Sequence, residues 1–255
     1  MKTFLHACCG PCSLEPVRLL KEQGHELTIG YMNSNIHPEE EYLHRLNTLL
    51  DWARNEGIPV VAGNYNPADW TAAVGPADAW GEGHIDRCRA CYRMRLEAAA
   101  RYAVEHGYEA LSTTLAVSPY QFTEVIHEEL EAVATQHGLA VVFEDFRPYY
   151  PEATRRSRAL GMYRQNFCGC APSKAEAAAE REEFKRLRAE ERARREAELA
   201  PQRAAEAAER ERRKAEKAAY EAKQHAKKMM REAARRARKD AEAAEAEAAA
   251  SRHVG

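Results

Sequence analysis

Short apolar runs alternate with longer amphipathic stretches through the first two-thirds of the chain, and glycine, proline or polar turns separate them. Thr3 to Ala7 is a compact apolar run that predicts a strand. Leu14 to Gln23 predicts a helix with Val17, Leu19 and Leu20 on one face, Ser13 as its cap and Gly24 as its stop. Leu27 to Met32 predicts a second strand, and Asn33 to His37 a polar loop. A helix is expected from Pro38 to about Asn55, where Tyr42, Leu46, Leu49 and Leu50 recur at helical spacing, and Ile58 to Ala62 predicts a third strand. The stretch from Gly63 to Arg87, holding Trp70 and Trp80 among several glycines and prolines, is expected to be irregular. After it come a helix from Cys88 to His106, a strand from Ala110 to Thr114, a helix from Gln121 to His137 and a strand from Ala140 to Phe143.

Strand and helix taking turns in this way predict an α/β, Rossmann-like fold, a parallel sheet flanked by helices. In such sheets, sites gather beyond the carboxyl ends of the strands. Cys8 and Cys9 follow the first strand at that edge, and Ser112, Thr113 and Thr114 end the fourth.

The pattern changes at Lys174. From there Ala, Glu, Arg and Lys dominate, almost no aromatic or β-branched residue occurs, and Pro201 is the one breaker. Residues 1–173 therefore read as the catalytic domain, and residues 174–255 as a long charged helical tail, exposed and partly frayed, with little to bury. Net charge over all 255 residues is −2, but the tail carries 23 basic against 18 acidic residues. Arg203 to Lys239 holds about twice as many bases as acids, so affinity for RNA phosphate is the sharper reading of the tail. A coiled-coil seam is disfavoured because no sustained Leu or Ile heptad runs through it.

The start of the chain has no signal-peptide architecture and no apolar run approaches membrane-spanning length, so no membrane partner and a cytoplasmic location are expected. In a reducing compartment, closely spaced thiols point to metal or redox chemistry. The seven cysteines form three groups: Cys8, Cys9 and Cys12; Cys88 and Cys91; Cys168 and Cys170. Thiols this near in sequence make poor disulfides with one another but can surround a soft metal. Helix-end N–H groups, Arg87 and Arg89 are expected to favour the thiolate at Cys88 and Cys91, and Gly169 lets both flanking sulfurs face one centre. Seven thiols exceed the four that a cubane cluster or a structural zinc needs, so either some are redox-active or two metal centres lie side by side.

These residues resemble the cobalamin-independent epoxyqueuosine reductases of the QueH type. The matching strings are Leu5 to Ser13; Asn35-Ile36-His37-Pro38 with Glu41, Tyr42 and Arg45; Arg87 to Leu96; Ser112 to Leu115 with Ser118-Pro119; and Tyr163 to Cys170. They cover residues 1–173 in order and leave the tail outside. The resemblance implies a HUP-type fold and the last step of queuosine formation, in which the epoxide of epoxyqueuosine at the tRNA wobble position is reduced to the alkene. It implies a [4Fe–4S] cluster with a second metal, an iron, beside it. Cys8, Cys9, Cys88 and Cys91 are the implied cluster ligands, and Cys12, Cys168 and Cys170 those of the neighbouring metal.

Deoxygenating an epoxide takes two electrons and two protons. No GxGxxG fingerprint occurs, so an external low-potential electron donor is expected. His37, Asp86 and Tyr163 are the candidate proton donors, each with a structural hydrogen bond as the plainer role. Arg45, Arg93 and Arg95 could grip phosphate, though a solvated face or a salt bridge is the plainer reading. Trp70 and Trp80 could stack on an extruded base or simply pack in the core. Two other functions compete. An ATP-dependent tRNA sulfur-transfer enzyme needs a Ser-Gly-Gly-x-Asp-Ser type loop where this chain has Cys8-Cys9-Gly10-Pro11-Cys12. A structural-zinc RNA-binding module needs only the cysteines and the basic tail.

Overall fold

The computed structural model describes residues 1–251. The elements run β1 (Lys2–His6), α1 (Gly10–Glu22), β2 (Glu26–Tyr31), α2 (Glu39–Asn55), β3 (Val60–Ala62), α3 (Pro67–Val74), α4 (Ile85–Glu105), β4 (Ala110–Thr113), α5 (Thr123–Gln136), β5 (Ala140–Val141), α6 (Tyr150–Ala159) and α7 (Ala171–Ser251). The five strands are all parallel in the order β3-β2-β1-β4-β5. The expected α/β sheet is therefore present.

Because side chains alternate across a strand, Phe4 and Leu5 of β1 feed opposite layers. Leu5 joins Leu14, Val17, Ile29, Leu49 and Trp52, on the side of α1 and α2. Phe4 joins Leu96, Ala99, Leu111, Leu130 and Val133, on the side of α4 and α5. Strands covered on both faces explain why the runs read as continuously apolar.

Several boundaries differ from the sequence reading. Helix α1 starts at Gly10 rather than Leu14, because Pro11 suits the first turn of a helix, where its missing N–H is not needed. Ser13 is consequently inside the helix, its Oγ donating to the Cys9 carbonyl at 2.8 Å, and it caps nothing. Helix α4 starts at Ile85, so Cys88 lies in its first turn and not at its cap. The stretch expected to be irregular contains α3, capped by Asn66, whose side chain accepts from the Ala68 N–H at 3.3 Å, with Pro67 in the first turn. That Asn-Pro signal was legible in the sequence. Helix α6, also opened by a proline, was not expected, and β5 is two residues long where four were predicted.

The chain divides into two compact units, Met1–Arg181 and Glu182–Gly255. The first holds the sheet and all seven cysteines. In the second, the described side chains are almost all exposed, and the helix continues through Pro201. Among the described residues, no helix is long and apolar enough to cross a membrane.

Candidate metal centre

The strand order reverses between β1 and β4, whose neighbours run off to either side, and the crevice beyond their carboxyl ends is where this architecture places ligands. His6 of β1 pairs with Thr113 of β4, so the next residues of both strands emerge side by side. The Cys8 N–H donates to Thr114 Oγ1 at 3.4 Å across that crevice. The Cys8 and Cys9 sulfurs are 3.8 Å apart, and the three sulfurs of Cys8, Cys9 and Cys12 all lie within 4.8 Å of one another. Two thiolates on one tetrahedral ion, with metal–sulfur bonds of about 2.3 Å, sit about 3.8 Å apart. The spacing suits a metal.

Arg95, a turn beyond Cys91 on α4, ties this corner to the second cysteine group. It donates to Asn33 Oδ1 at 2.6 Å, and Asn33 Nδ2 donates to the Ala7 carbonyl at 2.8 Å. Cys88 and Cys8 pack against one apolar cluster, with Tyr92, Leu115 and Ile126. Cys91 packs with Cys170, Trp70 and Val74 in another. All three cysteine groups thus meet where β1, α4 and the Cys168–Cys170 turn come together.

That last turn is held by Arg45. Its guanidinium donates to the carbonyls of Cys168 at 2.9 Å and Phe167 at 3.3 Å, while its Nε donates to Glu41 at 2.7 Å. The Gly169 carbonyl accepts from the His37 N–H at 2.9 Å, and Ser173 Oγ accepts from the Gly169 N–H at 3.2 Å. Gly169 has φ +132°, and a Cβ there would meet Ile36 Cγ1 at 3.0 Å and the Arg45 guanidinium at 3.2 Å. Glycine is required here for both reasons. Gln165, just upstream, donates to Cys9 Sγ at 2.9 Å and so links the third group to the first.

The electrostatics favour anionic sulfur at Cys8 and Cys168, while burial raises the pKa of Cys9 and the neighbouring thiols raise those of Cys12 and Cys170. Arg45, Arg87 and Arg95 are fully buried. Arg45 pairs with Glu41, and Arg87 makes a bidentate pair with Glu176 at 2.6 and 2.8 Å. Among the described residues Arg95 has no carboxylate partner, and the acidic groups around it are the sulfurs of Cys91, Cys8 and Cys168 and the Tyr92 phenol. A buried cation without a counter-charge is strongly disfavoured, so Arg95 calls for thiolates. Hydrogen bonds from Cys12 and Cys9, then Arg95, hold the Cys8 thiol well below its ordinary range. A hydrogen bond from Cys170, then Arg95 and Arg45, brings Cys168 down to about 6.

Cys88 and Cys91 correct an expectation. Burial pushes Cys88 up to about 12 and Cys91 up to about 11, outweighing the nearby arginines. Arg87 is committed to Glu176, and Arg89 turns away to Glu128 and Glu129. The phosphate-gripping role is likewise not available to Arg45 or Arg95, which are buried, and Arg93 is paired with Glu129 at 2.6 Å. Trp70 is core, its ring edge-on to His37, while Trp80 faces the Arg87 guanidinium.

Of the candidate proton donors, two stand near the sulfurs' supporting network. Tyr163 donates to Glu41 Oε2 at 2.7 Å, stacks on His44, and is raised to about 12 by burial and then by Glu41. His37 Nε2 is buried with no hydrogen-bond partner, and burial lowers its pKa. Asp86 is exposed on the outer side of α4, in a surface depression it shares with Arg89 and Arg93, so the fold does not bring it to the sulfurs. The side-chain amide of Asn35 and Oε1 of Gln165 are also buried without partners. Unpaired polar groups at the cysteine turns are what a site built for a polar guest shows.

The sequence reading missed Asn33, Gln165, Ser173 and Glu176. It had Arg45 and Arg95 in view but read them as lying on a solvated face or in a salt bridge; Arg45 does pair with Glu41, and both are buried. Their spacing held a clue, since Arg45 lies between the buried Tyr42 and Leu49 of α2, and Arg95 between Tyr92 and Ala99 of α4.

The profile of the epoxyqueuosine reductase QueH family matches residues 3–176. The chain belongs to this family. Epoxyqueuosine reductase QueH of Dehalococcoides mccartyi is 32% identical over 177 residues, covering 69% of this chain and 93% of that protein. The Thermotoga maritima protein of the same name is 32% identical over 190 residues, covering 72% of this chain and 96% of its own. That of Haemophilus influenzae is 31% identical over 193 residues, covering 74% and 78%. The family match ends in the second turn of α7, so nearly all of that helix lies outside it.

Proposed function

We propose that this protein reduces epoxyqueuosine to queuosine at the wobble position of tRNA, the last step of queuosine biosynthesis. The observation that carries the reading is the convergence of three cysteine groups on the buried, carboxylate-free Arg95 at the sheet's switch point. Membership of the family supports the substrate.

The donor set, all cysteine sulfur, fits iron–sulfur chemistry. Cys8, Cys9, Cys88 and Cys91 would hold a [4Fe–4S] cluster, and Cys12, Cys168 and Cys170 an adjacent iron. Cys12 lies within 4.8 Å of both Cys8 and Cys9, so the sulfurs assigned to the two centres are neighbours. When bound, such centres supply electrons singly at low potential and polarise an oxygen as a Lewis acid.

The protein's own residues do the rest. Arg95 balances thiolate charge inside the fold, and Arg45 with Gly169 sets the third turn against the first. Tyr163 keeps its proton at neutral pH and, with Glu41 behind it, is a donor for the departing oxygen; His37, neutral and unpartnered at Nε2, is the second. Asp86 has no part in this. Electrons enter from an external low-potential carrier. The sulfur-transfer reading has no support, because Gly10 and Pro11 enter α1 directly where a phosphate cradle would be needed.

The deciding experiment is anaerobic iron and sulfide analysis, followed by mass spectrometry of tRNA nucleosides before and after incubation with a reductant. Brown protein absorbing near ~400 nm, and conversion of epoxyqueuosine to queuosine, are expected. A colourless protein holding stoichiometric zinc would replace this reading with the structural-zinc module.

A further inference from the structure

From Lys223 to Lys239 the second unit carries eight lysines and arginines against one acid, Glu232. This stretch is helical and every side chain in it is exposed. Five of the cations, Lys223, Lys227, Arg231, Arg235 and Lys239, stand four residues apart and form a ladder along one side of the helix. At 100° per residue all the cations but Arg236 fall within an arc of about 160°. The opposite side holds alanines with Met229 and Met230, together with His225, Glu232 and Arg236.

The helix just before it is built differently. There Arg213 pairs with Glu209 at 2.6 Å, Lys214 with Glu211 at 2.8 Å, Arg212 with Glu216 at 3.6 Å and Lys217 with Glu221 at 3.9 Å. Among the described residues, no cation from Lys223 to Lys239 has an ion pair. Like charges four apart destabilise a helix, and Glu232 is the one acid interleaved among eight cations to offset them. A polyanion laid along the ladder would relieve the repulsion and release its own counterions.

We propose that Lys223–Lys239 is a binding surface for the phosphate backbone of structured RNA. The occupant is tRNA, a choice that rests on the function proposed above. At 1.5 Å per residue the ladder spans about 24 Å, long enough to follow several phosphates of one stem. The apolar side argues against a lipid surface, since alanine and two methionines supply little area to bury and no aromatic or leucine anchor is present. The surface contributes affinity and orientation, not chemistry.

The test uses the full-length protein and a variant with Lys227, Arg231, Arg235 and Lys239 all replaced by Gln, which keeps good helix formers at exposed sites. Binding of fluorescently labelled tRNA lacking the modification is measured from about 50 to 200 mM salt. The variant should bind at least about tenfold more weakly, and the slope of log affinity against log salt should shrink by about 3. A companion variant, R231K with R235K, should bind like the parent, because charge and not guanidinium geometry is at work. On tRNA carrying the epoxide, KM should rise and kcat should hold.

Unchanged affinity and slope in the glutamine variant would overturn the proposal. So would tighter binding to vesicles containing phosphatidylglycerol than to tRNA, with loss of that binding in the variant. Unmodified tRNA makes the readout independent of the reaction. If the epoxide is never reduced but the variant loses tRNA, the surface stands and the reductase reading fails; reduction with unaltered tRNA binding gives the reverse.

Discussion

The two units handle positive charge in opposite ways. In Met1–Arg181, Arg45, Arg87 and Arg95 are buried, and each is aimed at named acceptors: carbonyls and Glu41, Glu176, or an amide and sulfur. From Lys223 to Lys239 the cations are exposed, and none is paired with an acid among the described residues. A buried charge acts through geometry, because desolvation makes each missing partner costly. Exposed charge acts through its sum, because water and salt screen any single pair. One change in the first unit should therefore be severe, whereas the tail should answer only to several changes at once.

The largest effect is expected from Cys88→Ala, which should abolish visible absorbance and turnover together; a variant with full activity and no cluster would break the metal assignment. Gly169→Ala comes next. Forcing φ +132° on alanine and pressing a Cβ against Ile36 and Arg45 should cost on the order of 2 kcal/mol and lower metal content, read by thermal melts and iron analysis. If G169A melts and loads like the parent, the third cysteine turn is not fixed as described.

Glu176→Gln should be milder. It strands the buried Arg87, but the carboxylate is 31% exposed, so about 1–2 kcal/mol is expected instead of the roughly 3–5 of a fully buried pair. The parent pair also predicts a pH dependence. Arg87 holds the Glu176 carboxyl below its usual range, so this stability is present above the unfolded value and is lost as pH falls through the folded one. Acid melts of parent and variant should draw together as pH falls below the ordinary glutamate value of about 4.3; a constant offset through that range would show that the ionised pair is not the source of the difference. The smallest effect is a single tail substitution such as K227Q, for which tRNA affinity should change by less than about threefold at physiological salt.

Legibility followed the same division. Strand and helix order was readable because β1, β2 and β4 are apolar on both faces and the helices carry clear stripes. Proline in a first turn misled the reading, shifting the start of α1 at Pro11 and hiding α3 at Pro67 and α6 at Pro151, since a residue that breaks helices inside them also begins them. At the site, the cysteines were visible by type and spacing. Arg95 was not, because a charged residue on a helix reads as surface until Asn33 and the cysteine turns close over it. The thiol states of Cys88 and Cys91 were misjudged for the same reason: adjacency to arginine is a sequence fact, burial is not.

By itself, the order of residues determined the parallel α/β layout, the three thiol groups and the basic excess from Arg203 to Lys239, because periodicity and composition are local properties of the chain. Only the tertiary structure decided that Cys8, Cys9 and Cys12 cluster, that Arg95 lies near Cys8, Cys91 and Cys168 with no carboxylate partner among the described residues, and that Asp86 is exposed. Desolvation and convergence depend on which distant segments exclude water from a common space, and that is a property of the folded whole.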